Sequence, residues 1–216
     1  MKQIIAAYLT NDSVNLLSFI ECIPLQEQLR ISQYKFESDK IKSLCGWLLI
    51  GMATKHAEIT RDSHNRPILK GLDVNISHDG DVVICCCSVN RVGIDVMDNR
   101  QVYSDHFNKT RQEEIDFIKS LSVVLLPKEI NFIQQDINKL YHIWTAKEAY
   151  LKYTGKGLIE NVLVEYNEMK NQYFCQSLPI YHTQFNEYHL VASTIDCTIT
   201  TMSIADIVDY YTNLKK

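Results

Sequence analysis

The chain has 216 residues, enough at roughly 150 per domain for one large domain or two small ones. Hydrophobic residues make up 46% and charged residues 22%, which excludes a disordered chain, while seven glycines and four prolines exclude collagen-like and linker-rich readings. A formal charge of −4 and a pI near 6.0 argue against a dedicated nucleic-acid binder, which would carry a strongly basic domain.

In chain order, Lys2, the apolar stretch Ile4–Leu9 and Asp12 make too short a run for a signal peptide, and no cleavage site follows. No apolar run nears the ~20 residues that span a bilayer; the longest are Cys45–Ala53 and Val82–Val89. The expectation is a soluble, unexported, cytoplasmic protein with no membrane partner. Phe36–Ala57 carries Ile41, Leu44, Cys45, Leu48, Leu49 and Met52 at helical spacing, with Asp39 where an N-cap would sit. Asn65-Arg66-Pro67 reads as a turn or strand start, and Val74–Ser77 as a short alternating strand. His78-Asp79-Gly80-Asp81 is turn chemistry, Val82–Val89 a buried strand and Val92–Met97 another strand after a turn at Asn90-Arg91. Further on, Lys109–Ser120 and Asp136–Thr154 read as helices, the second ending at Gly155. Leu158–Tyr166, Gln172–Gln176, His189–Ile195 and Thr198–Ile204 read as strands. The fold class is therefore α+β: two similar lobes, each a helix packed on a small, mostly antiparallel sheet. The expected division is residues 1–100 and 101–216, with the polar stretch Asp98–Asp105 as the boundary.

The seven cysteines are Cys22, Cys45, Cys85, Cys86, Cys87, Cys175 and Cys197. An odd count with three in a row is a poor disulfide framework, and no C-x-x-C suggests structural zinc. Cys85 to Cys87 read as small apolar residues of a buried strand.

Three polar groups sit where packing alone would not put them. On a helical wheel of about 100° per residue, Ile137, Leu140, Tyr141 and Leu151 fall within about 60° of Trp144, and Glu148 falls at about 40°. A carboxylate then lies in the apolar stripe, or else at its edge, paired with Lys152 at i,i+4. In Gly93-Ile94-Asp95-Val96-Met97, Asp95 is an acid in an otherwise apolar strand: either an exposed edge position or half of a hard cation site. Asn75-Ile76-Ser77-His78-Asp79-Gly80 puts a hydroxyl beside a histidine. A lone Ser-His pair lacks an orienting third group, no G-x-S-x-G elbow is present, and a structural hydrogen-bonding histidine is the plainer reading.

Together these segments resemble the 4′-phosphopantetheinyl transferases of the Sfp, or surfactin-synthetase-activating, type. Asn75 to Gly80 resembles the family's N-x-S-H-x-G, and Gly93 to Met97 its G-[IV]-D-[IV]-E. Trp144-Thr145-Ala146-Lys147-Glu148-Ala149-Tyr150-Leu151-Lys152 resembles W-[ST]-x-K-E-[AS]-x-x-K, followed by the loop Gly155-Lys156-Gly157-Leu158. The three motifs stand in the family's order, about 15 and 50 residues apart. Upstream, Arg30, Phe36, Asp39, Lys42, Ser43 and Gly46 resemble the family's N-terminal segment, and Asn65-Arg66-Pro67 replaces G-K-P. The resemblance covers residues 30 to 158.

The resemblance implies a fold of two lobes about a pseudo-twofold axis with coenzyme A between them, and a monomer, since the chain is its own pseudo-dimer. It implies a transferase that moves the phosphopantetheine arm of coenzyme A onto a serine of an apo acyl or peptidyl carrier protein, releasing adenosine 3′,5′-bisphosphate. Asp95 and Glu148 would hold Mg2+ against the pyrophosphate, and Glu148 would also act as general base. Lys152 would meet the pyrophosphate and His78 the region of the 3′-phosphate. Arg30 and Arg66 would clamp phosphates at the nucleotide end, with Ser43 and Ser77 lining it. Phe107, Asn108, Lys109, Thr110 and Arg111 fall where the carrier would dock; a solvated helix start is the plain alternative.

Met97 departs from the pattern, which usually has Glu there, and a thioether is a poor Mg2+ ligand. Either water fills the position, or the chain is a catalytically weakened homologue that only binds coenzyme A or carrier protein; a Met here also resembles the pattern of animal-type, broad-specificity members. The pattern favours an active enzyme.

Overall fold

The computed structural model describes residues 3–55, 59–61, 66–69, 71–100, 110–155, 162–186 and 189–215. By compactness the chain divides into Met1–Val92 with Cys197–Lys216, and Gly93–Asp196. This differs from a cut at 100/101. The C-terminal segment joins the first unit because its strand pairs in parallel with the first strand, Gln3 opposite Thr198. Both units are α+β, each a sheet packed with helices.

The first unit begins with β1 (Gln3–Tyr8), a 3-10 segment (Asn11–Cys22), α1 (Leu25–Ser32) and α2 (Glu37–Thr54). The strands β2 (Ile59–Arg61), β3 (Pro67–Leu69), β4 (Leu72–Asp79) and β5 (Val82–Ser88) follow. With β11 (Thr198–Met202) they form a six-stranded sheet in the order β11-β1-β5-β4-β3-β2, antiparallel apart from β11 on β1. The chain then closes with α6 (Ile204–Leu214).

The predicted helix over Phe36–Ala57 is α2. Phe36 rather than Asp39 is its N-cap, and Asp39 lies in the first turn, where a carboxylate favours the positive helix end. Residues Ser43 to Gly51 are all buried, and Gly46 permits close packing: a Cβ there would stand 2.7 Å from Ile76 Cγ2. The core joins Leu44, Leu48 and Tyr211 to Val74, Val83, Cys85 and Cys87 of the sheet.

β4 is longer than predicted. His78 and Asp79 belong to the strand, and the turn shrinks to Gly80-Asp81, with Gly80 at φ 55°. Cross-strand pairing to Val83 and Val82 extends the ladder to the tightest loop the twist allows. The cysteine run lies buried in β5, all seven cysteines are free thiols, and burial pushes the Cys86 thiol up to about 12 and the Cys87 thiol up to about 11. The helix α6 was not predicted. Its Ile204, Ile207 and Tyr211 are buried at helical spacing, and Ser203 and Asp206 form a capping box.

The second unit contains β6 (Ile94–Asp98), α3 (Arg111–Ser120), a 3-10 turn (Leu121–Val123), α4 (Pro127–Ile133) and α5 (Lys139–Thr154). It continues with β7 (Val164–Asn167), β8 (Gln172–Cys175), β9 (Leu178–Gln184) and β10 (His189–Ser193). Its sheet runs β6-β10-β9-β8-β7, antiparallel throughout. Thr110 caps α3 with Glu113, and the left-handed Gly155 ends α5, as its sequence predicts. The predicted strand at Leu158 and the expected carrier contacts Phe107, Asn108 and Lys109 lie outside the described residues, as do Lys156 and Gly157.

The wheel drawn for α5 needs correction. Buried residues occur nearly all round, from Leu140, Tyr141 and Ile143 to Ala146, Ala149 and Tyr150, because α5 packs on β6 and β10 and also meets α4. Trp144, Glu148 and Lys152, at i, i+4 and i+8, form a half-buried row instead of an apolar stripe. Among the described residues no helix is long and apolar enough to cross a membrane.

Candidate active site

The second unit places three of the singled-out groups together. Gly93 leads into β6 and is pinned there: its amide donates to Thr194 Oγ1 at 2.9 Å, and its carbonyl accepts from the Thr194 amide at 3.0 Å. A Cβ on Gly93 would lie 1.9 Å from the Ala149 carbonyl oxygen and 2.5 Å from the Tyr153 amide nitrogen. The glycine thus lets β6 approach the backbone of α5 directly, which explains why this strand must begin with Gly.

Two residues on, Asp95 is opposite Ala192 in the ladder, and Ala192 belongs to the core under α5. Strand alternation therefore turns Asp95 toward that helix. Asp95 is 6% exposed, and Lys152 Nζ donates to its Oδ1 at 2.7 Å. Lys152 thus pairs across elements, a partner the i,i+4 alternative did not foresee. Glu148, one turn before Lys152, has its pKa raised by burial and by the Asp95 charge, with Lys152 opposing. Two carboxylates and one ammonium share a partly buried space, with carboxylate repulsion still felt.

That donor set suits a hard divalent cation. Both carboxylates offer oxygen, and the repulsion between them is what a cation relieves. Met97 shares the face of Asp95 and is half-buried opposite Leu190; its sulfur is no ligand for Mg2+.

The first unit holds the other expected residues on α1 and α2, just before β3 and in β4. Arg30, in the last turn of α1, donates through Nη2 to Ser43 Oγ on α2 at 2.9 Å, so those two do meet. Arg66 is 8% exposed, and its guanidinium is committed to the Asp73 carboxylate and the Val92 carbonyl, Nε to Oδ1 at 2.9 Å and Nη2 to the carbonyl at 2.6 Å. The Nε–Nη2 edge of Arg66 is therefore occupied by a carboxylate. Ser77 and His78 are adjacent in β4 and so point to opposite faces; Ser77 is buried and His78 exposed. The strand geometry removes the Ser-His nucleophile–base reading.

The chain from 11 to 90 matches the family described as 4′-phosphopantetheinyl transferase, N-terminal, and residues 91–193 match the 4′-phosphopantetheinyl transferase superfamily. The chain belongs to the 4′-phosphopantetheinyl transferases. It is 24% identical over 204 residues to the 4′-phosphopantetheinyl transferase gsp of Aneurinibacillus migulanus, covering 84% of this chain and 80% of that one. The 4′-phosphopantetheinyl transferase Sfp of Bacillus subtilis is 30% identical over 96 residues, 43% of this chain and 37% of its own length. The L-aminoadipate-semialdehyde dehydrogenase-phosphopantetheinyl transferase of Rattus norvegicus is 26% identical over 164 residues, 64% and 50% of the two chains. The Sfp-type likeness is thus distant, and the enzyme class, a transferase acting in phosphopantetheinyl transfer, is secure.

Within this transferase, sequence reasoning missed two charged clusters. Glu27 is 3% exposed and binds both Arg30 and Arg61. Glu129 and Lys147 form a buried ion pair, Nζ to Oε2 at 2.7 Å. Their partners are far apart in sequence, so no local spacing signals them. A hint was present at Lys147, which stands among apolar neighbours within the W-x-x-K-E motif.

Proposed function

We propose that the chain transfers 4′-phosphopantetheine from coenzyme A to a serine hydroxyl of an apo acyl or peptidyl carrier protein. The observation that carries this reading is the grouping of Asp95, Glu148 and Lys152 at the junction of β6 and α5. In the reaction the serine oxygen forms a bond to the phosphorus that bears the pantetheine arm. The pyrophosphate P–O bond breaks, and adenosine 3′,5′-bisphosphate leaves. Glu148 takes the serine proton; burial and the neighbouring Asp95 charge raise its pKa, which makes it a stronger base than an exposed carboxylate. Asp95 and Glu148 would hold Mg2+, which when bound neutralises charge on the pyrophosphate. Lys152 donates to Asp95, and its ammonium charge is assigned to a pyrophosphate oxygen beside that carboxylate. Arg30, Ser43, Ser77 and His78 are assigned to the nucleotide end of coenzyme A, and Arg66 to that end through its hold on Asp73 and Val92.

Seven free thiols suit a reducing compartment, and the acidic charge suits a reading without nucleic acid; the chain is taken as a cytoplasmic monomer. Met97 favours one rival, a binding module without turnover. The test is mass spectrometry of an apo carrier protein incubated with this chain, coenzyme A and Mg2+. One phosphopantetheine increment is expected with the unaltered chain and none with Glu148→Gln. No increment on any carrier, with coenzyme A still bound by calorimetry, would select the rival.

A further inference from the structure

A charge cluster that the transfer chemistry does not explain joins the first and last turns of α1 to β2. The Glu27 carboxylate is almost wholly buried, its side chain 4% exposed, while the Arg30 and Arg61 side chains above it are 35% and 19% exposed. Oε2 accepts from Arg30 Nε at 2.8 Å and from Arg61 Nη2 at 2.8 Å, and Oε1 accepts from Arg61 Nε. One carboxylate thereby fixes two guanidinium planes. The remaining geometry is equally constrained. Arg30 donates through Nη1 to the Tyr34 hydroxyl and through Nη2 to Ser43 Oγ, and Arg61 lies over the Trp47 ring, 5.0 Å from its centroid.

We propose that Glu27 is a positioning residue for the phosphate-binding end of the first unit: it locks Arg30 in the orientation in which its outer N–H groups meet a phosphate of the nucleotide. This rests on the reading of Arg30 given under Proposed function. The donor count supports it. Arg30 uses three of its five N–H groups on Glu27, Tyr34 and Ser43, which leaves two on a fork that cannot rotate. A bidentate guanidinium–phosphate contact needs such a pair. A long arginine without this brace would lose rotamer freedom on binding; here the protein has fixed those torsions beforehand. Burial opposes ionisation of Glu27, but the hydrogen bonds and charges of Arg61 and Arg30 outweigh it and hold its carboxyl below the usual range, so the brace stays anionic at neutral pH. Two guanidinium charges surround one carboxylate, so the cluster as a whole favours an anion.

Charge and positioning predict opposite signs, which makes the idea testable. Removing a negative charge near a phosphate would tighten binding if Glu27 acted only through its field. Removing a brace would weaken it.

The experiment is calorimetry on the full chain with coenzyme A and with 3′-dephospho-coenzyme A, for the unaltered protein, Glu27→Gln, Glu27→Asp and Arg30→Ala. Thermal unfolding is recorded in parallel. Glu27→Gln is expected to weaken coenzyme A by about tenfold and the dephospho analogue by less than about twofold. Glu27→Asp keeps the charge on a shorter arm and should show the same selectivity with a smaller loss; it carries the test if the Gln variant does not fold. Unchanged or tighter coenzyme A binding by the Glu27 variants overturns the proposal, as does an equal loss for both ligands. If Arg30→Ala weakens coenzyme A while the Glu27 variants do not, only the positioning role fails. If Arg30→Ala has no effect, the assignment of Arg30 fails and the proposal falls with it. If the unaltered chain binds no coenzyme A, the substrate reading itself is wrong.

Discussion

Lys147 stands beside Glu148 in sequence, yet it points away from the proposed chemistry. Its ammonium meets Glu129 Oε2 at 2.7 Å and the Val124 carbonyl at 2.9 Å, with the side chains only 8% and 0% exposed. Glu129 also accepts from the Leu126 amide at 2.7 Å and from the Val164 amide at 2.8 Å. One pair therefore ties α5 to the start of α4 and the start of β7. Lys147→Met would leave a buried carboxylate without its cation. Breaking such a pair from one side costs about 3–5 kcal/mol. At about 2–4 °C per kcal/mol for a chain of this size, unfolding should come roughly 6–20 °C earlier. Glu129→Ala should cost at least as much, because it orphans two amides as well as the ammonium. The double variant Lys147→Met/Glu129→Gln should recover much of the loss, since no lone charge remains and the Gln oxygen still accepts from an amide. Urea unfolding of the parent, Lys147→Met, Glu129→Gln and the double variant at pH 7 closes the double-mutant cycle. A coupling below about 1 kcal/mol, or a Lys147→Met variant as stable as the parent, would refute the claim that this pair is desolvated and shared by three elements.

Other outcomes follow from the same geometry. Gly93→Ala drives a Cβ into the backbone of α5, so a stability loss of at least about 1–3 kcal/mol is expected, together with reduced transfer; a neutral variant would mean that β6 and α5 are not in direct contact. His182 is held neutral, its pKa pushed down to about 3 by burial and by neighbouring His142, while its Nε2 lies 3.0 Å from the His142 carbonyl. In the unfolded chain it protonates near 6.5, so the folded protein should lose stability as pH falls from about 6.5 toward 3, approaching about 1.4 kcal/mol per pH unit. The groups facing it are His142, Thr145 and Tyr173, with Asp136 acting on His142. His182→Gln should flatten this acid limb in urea titrations, and an unchanged slope would assign it elsewhere. Met97→Glu adds a third carboxylate on the strand face of Asp95 and should raise Mg2+ affinity by about tenfold in calorimetry; no change would place the metal away from that face.

Much of the site was legible because its signals are local. The Gly-Ile-Asp strand and the Trp-to-Lys helix each fit within a few turns or one strand, and Gly155 stops the helix where its left-handed φ requires. The helix wheel misled because it assumes a single covered side, whereas α5 is packed nearly all round and leaves the Trp144–Glu148–Lys152 row half-buried. The reading of His78 as turn also failed locally: Gly80-Asp81 is sufficient to reverse the chain, so the ladder runs two residues further.

By itself the sequence determined the residue types and their order: two apolar helices, a cysteine-bearing buried strand, and the acid, base and lysine expected of the family. Those follow from hydrophobic period and short-range motif chemistry. Only the tertiary structure decided the partners. It returned the C-terminal strand to β1, gave Lys152 to Asp95, Arg66 to Asp73, Lys147 to Glu129, and both Arg30 and Arg61 to Glu27. Side-chain charges are satisfied through space, by whichever group the packed backbone brings within hydrogen-bond reach, and sequence separation does not encode that distance.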